Sequence, residues 1–371
     1  MLWSVVEEDL PAQEFLMDLS YVKSGLRIMV GKDADCYVYQ IKVAPPQDPV
    51  PVDGGPAAQN NEVRHRGTAN GSVPGLNRTE ATEENGNTKR HSVSDLVFDI
   101  ASICNAQTDF SVNDPCQNVV LFSHDTRLIL TGGADGTIRV WNFPEMKEKL
   151  KIEASKKEVA DLDISSDRKL VSCVTRDGKC KIWSLTDGKV KVSLDLPPED
   201  DGKYVYKRSK FGIVEDKGNL NRLFVILNPT SSKCKSYIQH WTGPAFTMTH
   251  ATPCGEPLSA LAVSKCGRFV AVGSMTTGDV DIYIAYNLTR LKHVEKAHKN
   301  FVTGLAFLPP ALHSEESVLA ECDAAVVSIS IDNQILVHHV EQTRGVPVWL
   351  AGLLCVIVLI LTFIFCSYMG L

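Results

Sequence analysis

The chain has 371 residues, 44% of them hydrophobic and 22% charged, enough apolar material for a sizeable core. Its formal net charge is −6, which argues against a phosphate-tracking nucleic-acid binder, because that task needs clustered Lys and Arg. The eleven cysteines form no CxxC pairs and no His clusters at metal-ligand spacing, so reduced thiols are expected, with no metal and no cofactor. Met1–Pro11 carries Glu7, Glu8 and Asp9 and lacks both a basic n-region and a long apolar h-region, so it does not read as a secretory signal peptide.

Three short strands are expected next, through Phe15–Leu19, Arg27–Val30 and Tyr37–Ile41. From Ala44 to about Ser94 the chain turns to Pro, Gly, Asn, Thr and charge, with few large apolar residues. It cannot bury enough surface to order itself and is expected as a disordered loop between two blades. Pro197–Gly202 marks a shorter loop of the same kind.

Beyond it a unit repeats with a period of about 42 residues. Asp135-Gly136-Thr-Ile-Arg-Val-Trp141 returns as Asp177-Gly178-Lys-Cys-Lys-Ile-Trp183. Looser copies run Lys235–Trp241, Thr277-Gly278-Asp279–Tyr283, Asp332–His338 and Asp35–Ile41. Within one unit, Asn118–Phe122 is a strand, Ser123–Arg127 a turn, Leu128–Thr131 a second strand, and the Asp-Gly turn leads to a third. Four-stranded blades of this kind cannot bury both faces alone and stack radially into a propeller.

The tail is uncharged after Arg344, and Val348–Tyr368 is a 21-residue apolar stretch. As a helix it spans about 30 Å, the hydrocarbon thickness of a bilayer. Pro347 suits a first helical turn, and Trp349 and Tyr368 lie near opposite interfaces. A single C-terminal membrane helix over 346–368 is expected, with 369–371 as a lumenal tail and the preceding domain in the cytosol. The sequons at Asn70, Asn77 and Asn287 are then chance matches. The expected organisation is a blade region over 1–43, the loop over 44–94, propeller blades over 95–343 and the anchor.

Several stretches invite chemical readings that the fold explains more simply. Ser123-His124-Asp125 holds triad residue types, but adjacent residues do not converge as a triad must. Gly132–Gly136 lacks the Lys-Ser or Lys-Thr of a phosphate loop and reads as a hairpin turn. His338 and His339 face opposite sides of a strand, with no third metal ligand nearby. Lys203–Lys210 interleaves aromatic and basic residues, and an outer strand with a solvated face is expected there in preference to a nucleic-acid strip.

The Asp-Gly turns before Trp141 and Trp183 resemble the WD40 repeat family, and Ala297-His298 resembles that family's Gly-His element. Most of the family's His–Asp–Trp hydrogen-bond network is expected to be absent. Six blades are recognisable, giving an all-β WD40 β-propeller followed by one transmembrane α-helix. Gln107–Phe110, Thr131–Gly136 with Arg139–Trp141, Lys296–His298 with Val302-Thr303 and Ala306–Pro309, and Val346–Leu350 are similar to the prolactin regulatory element-binding family of endoplasmic-reticulum guanine-nucleotide exchange factors. The resemblance implies a single-pass protein of that membrane with a cytosolic propeller. It implies a GDP-bound Sar-type small GTPase as partner, with COPII coat components engaged indirectly, and no covalent chemistry of its own. Members of that family have seven blades and begin with one whose Gly- and Lys-containing, potassium-binding loop reaches the nucleotide site. No stretch here matches that loop, so a truncated or alternatively started chain is expected and no catalytic residue is assigned. A non-catalytic scaffold and a DNA-binding transcriptional regulator are the alternatives, the latter opposed by charge and anchor.

Overall fold

Short antiparallel strands with turn residues between them build nearly all of the described chain before residue 342. The structure, a computed structural model, describes residues 16–22, 25–44, 97–112, 114–123, 125–196, 202–213, 221–231, 234–308, 322–341 and 348–369. Expectations for 1–11, for most of 44–94, for His124, Arg344 and Pro347, and for the Trp349 side chain lie outside what is described.

The strands form six sheets, each ordered as the chain runs. The first holds β1 (Leu16–Val22), β2 (Gly25–Lys32), β3 (Asp35–Ala44) and β4 (Val97–Gln107). The second holds β5 (Gln117–Phe122), β6 (Leu128–Gly133), β7 (Thr137–Asn142) and β8 (Lys147–Glu153). The third holds β9 (Val159–Ile164), β10 (Leu170–Thr175), β11 (Cys180–Ser184) and β12 (Val190–Leu194). The fourth holds β13 (Tyr204–Ile213), β14 (Asn221–Pro229), β15 (Ser236–Thr242) and β16 (Thr247–Cys254). The fifth holds β17 (Leu258–Val263), β18 (Phe269–Ser274), β19 (Val280–Ile284) and β20 (Arg290–Val294). Three strands make the sixth among the described residues: β21 (Val302–Phe307), β22 (Cys322–Ser330) and β23 (Ile335–Glu341). A helix, α1 (Val348–Met369), follows.

First strands meet one another in sequence, β1 against β5, then β9, β13, β17 and β21, which is the inner wall of a propeller. The core lies between consecutive sheets. Leu130, Ile138 and Val140 of the second sheet pack with Val159, Leu162 and Ile164 of the third, and Phe224 and Ile226 of the fourth pack with Leu261 and Val270 of the fifth. Burial therefore falls from inner to outer strands. Thr137–Trp141 is buried throughout, whereas five of the seven residues of β8 are exposed. In five sheets the pairing of the third and fourth strands shifts register beside Tyr39, Trp141, Trp183, Trp241 or Tyr283, so the repeat's aromatic sits at a β-bulge.

Two expectations are corrected. The residues over 44–94 do not separate blades, because β3 and β4 on either side are hydrogen-bonded neighbours in the first sheet. The segment is an insertion within one blade, and the blade expected over 1–43 extends to Gln107. Lys203–Lys210 does not form an outer strand. β13 is innermost, with Ser209 fully buried, and Arg208 Nη1 donates to the Ala160 carbonyl (2.9 Å) while Lys210 Nζ lies 3.3 Å from Asp163 Oδ1. Those cations are engaged inside the fold. Burial raises the Asp163 carboxyl above its ordinary value even against the neighbouring Lys210.

Alternating strand direction sorts the turns onto two faces. Turns from first to second and from third to fourth strands gather on one face. Turns from second to third strands and the links between sheets gather on the other. The chain leaves β23 at Glu341 on the first of these, here termed the exit face. In α1, side chains are described for 352–365 and 368–369, and they are apolar apart from Thr362 and exposed throughout, including Tyr368. Among the described residues no helical stretch is long and apolar enough to cross a membrane.

Candidate functional site

Two side-chain clusters stand on the face opposite the exit face, and both are assembled from stretches singled out in the sequence. In the first, Thr108 and Asp109 donate their backbone N–H groups to Ala34 O (2.8 and 3.0 Å), holding the link after β4 on the β2–β3 turn. The Asp109 carboxylate accepts from Cys116 N (2.7 Å) and Asp135 N (3.2 Å). Arg139, only 3% exposed, donates to Thr108 O (2.9 Å) and Asp135 Oδ2 (2.5 Å). Burial pushes the carboxyls of Asp109 and Asp135 upward. It prevails at Asp109, whereas the Arg139 guanidinium and the Thr137 N–H bring Asp135 below its ordinary value. Gly136 turns the hairpin with φ of +70°, and a Cβ there would come within 2.2 Å of Ser155 O. Over this buried lattice the Phe110 ring lies 4.7 Å from the Arg139 guanidinium, 53% exposed, beside Val112, 97% exposed.

The second cluster is in the sixth sheet. His298 Nδ1 donates to the Asp332 carboxylate at 3.2 Å. Its Nε2 lies 2.7 Å from Ser328 Oγ, which lies 2.8 Å from His338 Nε2, so one hydroxyl bridges the two rings. Burial first, then the positive potential of Lys292, lowers His338 to about 4. The set has the residue types of a catalytic triad, yet Ser328 is completely buried and its hydroxyl is engaged on both sides. It holds the link before β21 against the turn before β23, with Lys299 N donating to Asp332 Oδ2 (3.1 Å).

The family network, expected to be mostly absent, has a variant form in this one sheet, with His338 where the repeat elsewhere has an aromatic. Ser328 precedes His338 by ten residues, the spacing that separates Thr131 from Trp141, whose Nε1 donates to the Thr131 hydroxyl at 2.9 Å. Counting back ten from Trp183 gives Cys173, a thiol, and Trp183 Nε1 is buried without a partner among the described residues. That ten-residue spacing is the sequence signal for the pair.

The other signature residues are structural. Gly178 and Gly278 occupy left-handed turns with φ of +76° and +75°, and Asp177 accepts from Thr175 Oγ1. Trp241 Nε1 donates to Gln239 Oε1 (3.2 Å), and the buried Tyr283 hydroxyl lies 3.5 Å from Cys254 Sγ. Among the described residues no group of three or more His, Cys, Asp or Glu could hold a metal. Around the second cluster, Met275, Phe301, Ile331 and Ile335 are exposed on the same face as Phe110 and Val112. Solvent-facing apolar side chains on rigid buried polar networks suit the docking of a protein partner better than covalent chemistry.

The WD domain, G-beta repeat model matches residues 105–142 and 146–184. Mouse and rat proteins each named "Guanine nucleotide-exchange factor SEC12" are 36% identical over 262 residues, covering 69% of this chain and 62% of each relative. Over that span the chain is similar to both exchange factors. An Arabidopsis thaliana protein named "SEC12-like protein 2" is 24% identical over 238 residues, covering 62% of this chain and 53% of that one. Among solved structures, the Cps50 (Swd1) β-propeller domain of Myceliophteria thermophila aligns with a TM-score of 0.48 and 14% identity, over 62% of this chain and 68% of that one. The chain thus spans a little over three fifths of the length of its mouse and rat relatives. The buried lattice under Phe110 and the His298–Asp332 bracket come from segments far apart in sequence that the ring brings to one face.

Proposed function

We propose that this chain is a guanine-nucleotide exchange factor for a Sar-type small GTPase, held on the endoplasmic-reticulum membrane by α1 with its propeller in the cytosol. The observation that carries the reading is its relation to proteins named as nucleotide-exchange factors, at 36% identity over 262 residues. The face bearing Phe110 and Val112 is its partner-binding surface. The buried hydrogen-bonded lattice beneath it supports the reading, since a pre-organised surface loses less on binding. The anchor reading rests on the whole of α1, 22 residues without charge and about 33 Å long as a helix.

Release of a fluorescent GDP analogue from the GTPase, with the full chain in proteoliposomes, tests the proposal. Acceleration that is lost in Val112→Asp, with the propeller's thermal midpoint unchanged, is expected. Neither acceleration nor binding of the GDP-bound GTPase would overturn it. Binding without acceleration would leave a scaffold.

A further inference from the structure

The exit face carries a feature that partner binding does not use. Between the fourth, fifth and sixth sheets lies a cavity of about 640 Å³, lined in part by Arg222, Arg268 and Lys292. We propose that this cavity binds the phosphate of an anionic lipid headgroup at the surface of the bilayer that α1 enters. The inference rests on the reading of α1 as a membrane anchor.

Topology places the cavity there. Arg222 opens β14, Arg268 lies in the turn before β18, Tyr286 follows β19, and His339–Glu341 ends β23. All are exit-face positions, and the last is where the chain departs. Only residues 342–347 separate Glu341 from the first residue of α1. At full extension that linker reaches about 25 Å, so the exit face cannot stand far from the headgroups.

The side chains suit a lipid phosphate. Arg222 has no ion-pair partner among the described residues, and its guanidinium lies 5.9 Å from the Tyr286 ring. Arg268 stacks on Phe269 at 5.2 Å and lies 3.6 Å from Asp323. Lys292 Nζ donates to the His339 carbonyl at 2.8 Å and keeps two further donors. Asp323 and Glu341 also line the cavity, so three cations face two carboxylates and the excess is positive. His339 lines it too, with a buried Nδ1 that has no partner among the described residues. The rim is amphipathic: Tyr286 is 67% exposed, with Ile213, Met248 and Leu291 also exposed at the exit-face ends of their strands. An exposed tyrosine and aliphatic side chains beside arginines fit the headgroup region, where amphipathic rings and snorkelling cations settle. A soluble anionic metabolite would gain nothing from that rim.

The test is hydrogen–deuterium exchange of the full chain reconstituted in vesicles of phosphatidylcholine alone, or with phosphatidylserine. Exchange in 264–269 and 285–292 is expected to slow in the anionic vesicles, and 0.5 M salt should abolish the slowing. Segments 134–137 and 176–179 on the other face should not respond. Arg222→Glu with Arg268→Glu should remove the protection, at about fivefold per charge. Should that variant misfold, the salt dependence of the unmodified chain decides by itself. Equal exchange in both vesicles overturns the proposal. So does equal protection by 10 mM inorganic phosphate in neutral vesicles, which would make the cavity a site for a free anion. Alkaline carbonate extraction separates the two readings. A chain that washes out has no anchor and both fail, whereas a chain that stays embedded without protection at the cavity defeats only this inference.

Discussion

Trp141 and Trp183 occupy equivalent positions in successive sheets, each at the bulge before the outer strand, yet one indole is satisfied and the other is not. The difference lies ten residues upstream, in the hydroxyl of Thr131 and the thiol of Cys173. A buried donor without a partner costs about 1–3 kcal/mol, and a typical internal hydrogen bond contributes about 1 kcal/mol net. Thr131→Val keeps the shape, strands the Trp141 N–H and should cost about 1–2 kcal/mol. Cys173→Thr supplies the missing acceptor and should stabilise by about 1 kcal/mol, less any crowding by its extra methyl in the core that Cys173 shares with Trp183. For a propeller of this size each kcal/mol moves the thermal midpoint by roughly 2–4 °C. Differential scanning fluorimetry in detergent should therefore show Thr131→Val falling and Cys173→Thr rising. Combining Cys173→Thr with Trp183→Phe should erase the gain, since the donor is then gone. A rise that survives in the double variant, or no rise at all, refutes the account.

Three further outcomes follow from the same geometry. Gly278 and Gly202 both have φ near +75°, but a Cβ at Gly278 would lie 2.1 Å from the His298 carbonyl oxygen while at Gly202 nothing is within 4 Å. Gly202→Ala should thus cost about 1 kcal/mol and Gly278→Ala about 3 kcal/mol or more by chemical denaturation. His338 and His240, both lowered to about 4 chiefly by burial, stay neutral in the fold while the unfolded chain takes up protons below about pH 6.5. Stability is then full above pH 6.5 and falls toward pH 4, by up to about 2 kcal/mol per ring at pH 5, and His338→Gln should flatten the pH–midpoint curve. Arg139→Met leaves the half-buried Asp135 without its cation, should cost about 2–4 kcal/mol in a melting experiment, and removes the cation beneath Phe110.

What the sequence disclosed was local. Asp-Gly turns, the aromatic at the end of a third strand and the period of about 42 each depend on residues near one another, and the sheets follow them. Position within the ring was not disclosed. Tyr204–Ile213 is a basic, aromatic strand by composition, and only stacking against β9 and β17 makes it innermost. Val97–Gln107 pairs with a strand more than fifty residues earlier, and no local pattern announces that the insertion lies inside a blade. The His298–Asp332 bracket is hidden in the sequence because a histidine, His338, stands in the sixth sheet where the repeat's signature has tryptophan. Arg222 and Arg268 stand 46 positions apart and meet only because exit-face turns of neighbouring sheets converge.

Strand direction separates the two proposed binding surfaces. A chain that leaves a third strand at its far end must present its first-to-second and third-to-fourth turns to whatever it enters next. The lattice under Phe110 and the His298–Asp332 bracket consist of the other turns, so they point away. Strands of five or six residues separate the faces by about 17–20 Å. At that distance, with no shared side chains, substitutions at Val112 and at Arg268 should act independently, their effects adding. If α1 enters a bilayer as proposed, a headgroup bound at the exit face would fix the tilt of the propeller and leave the opposite face open to a partner. Orientation would then be set by which end of β23 the chain leaves, and the same end would determine which charges the bilayer meets.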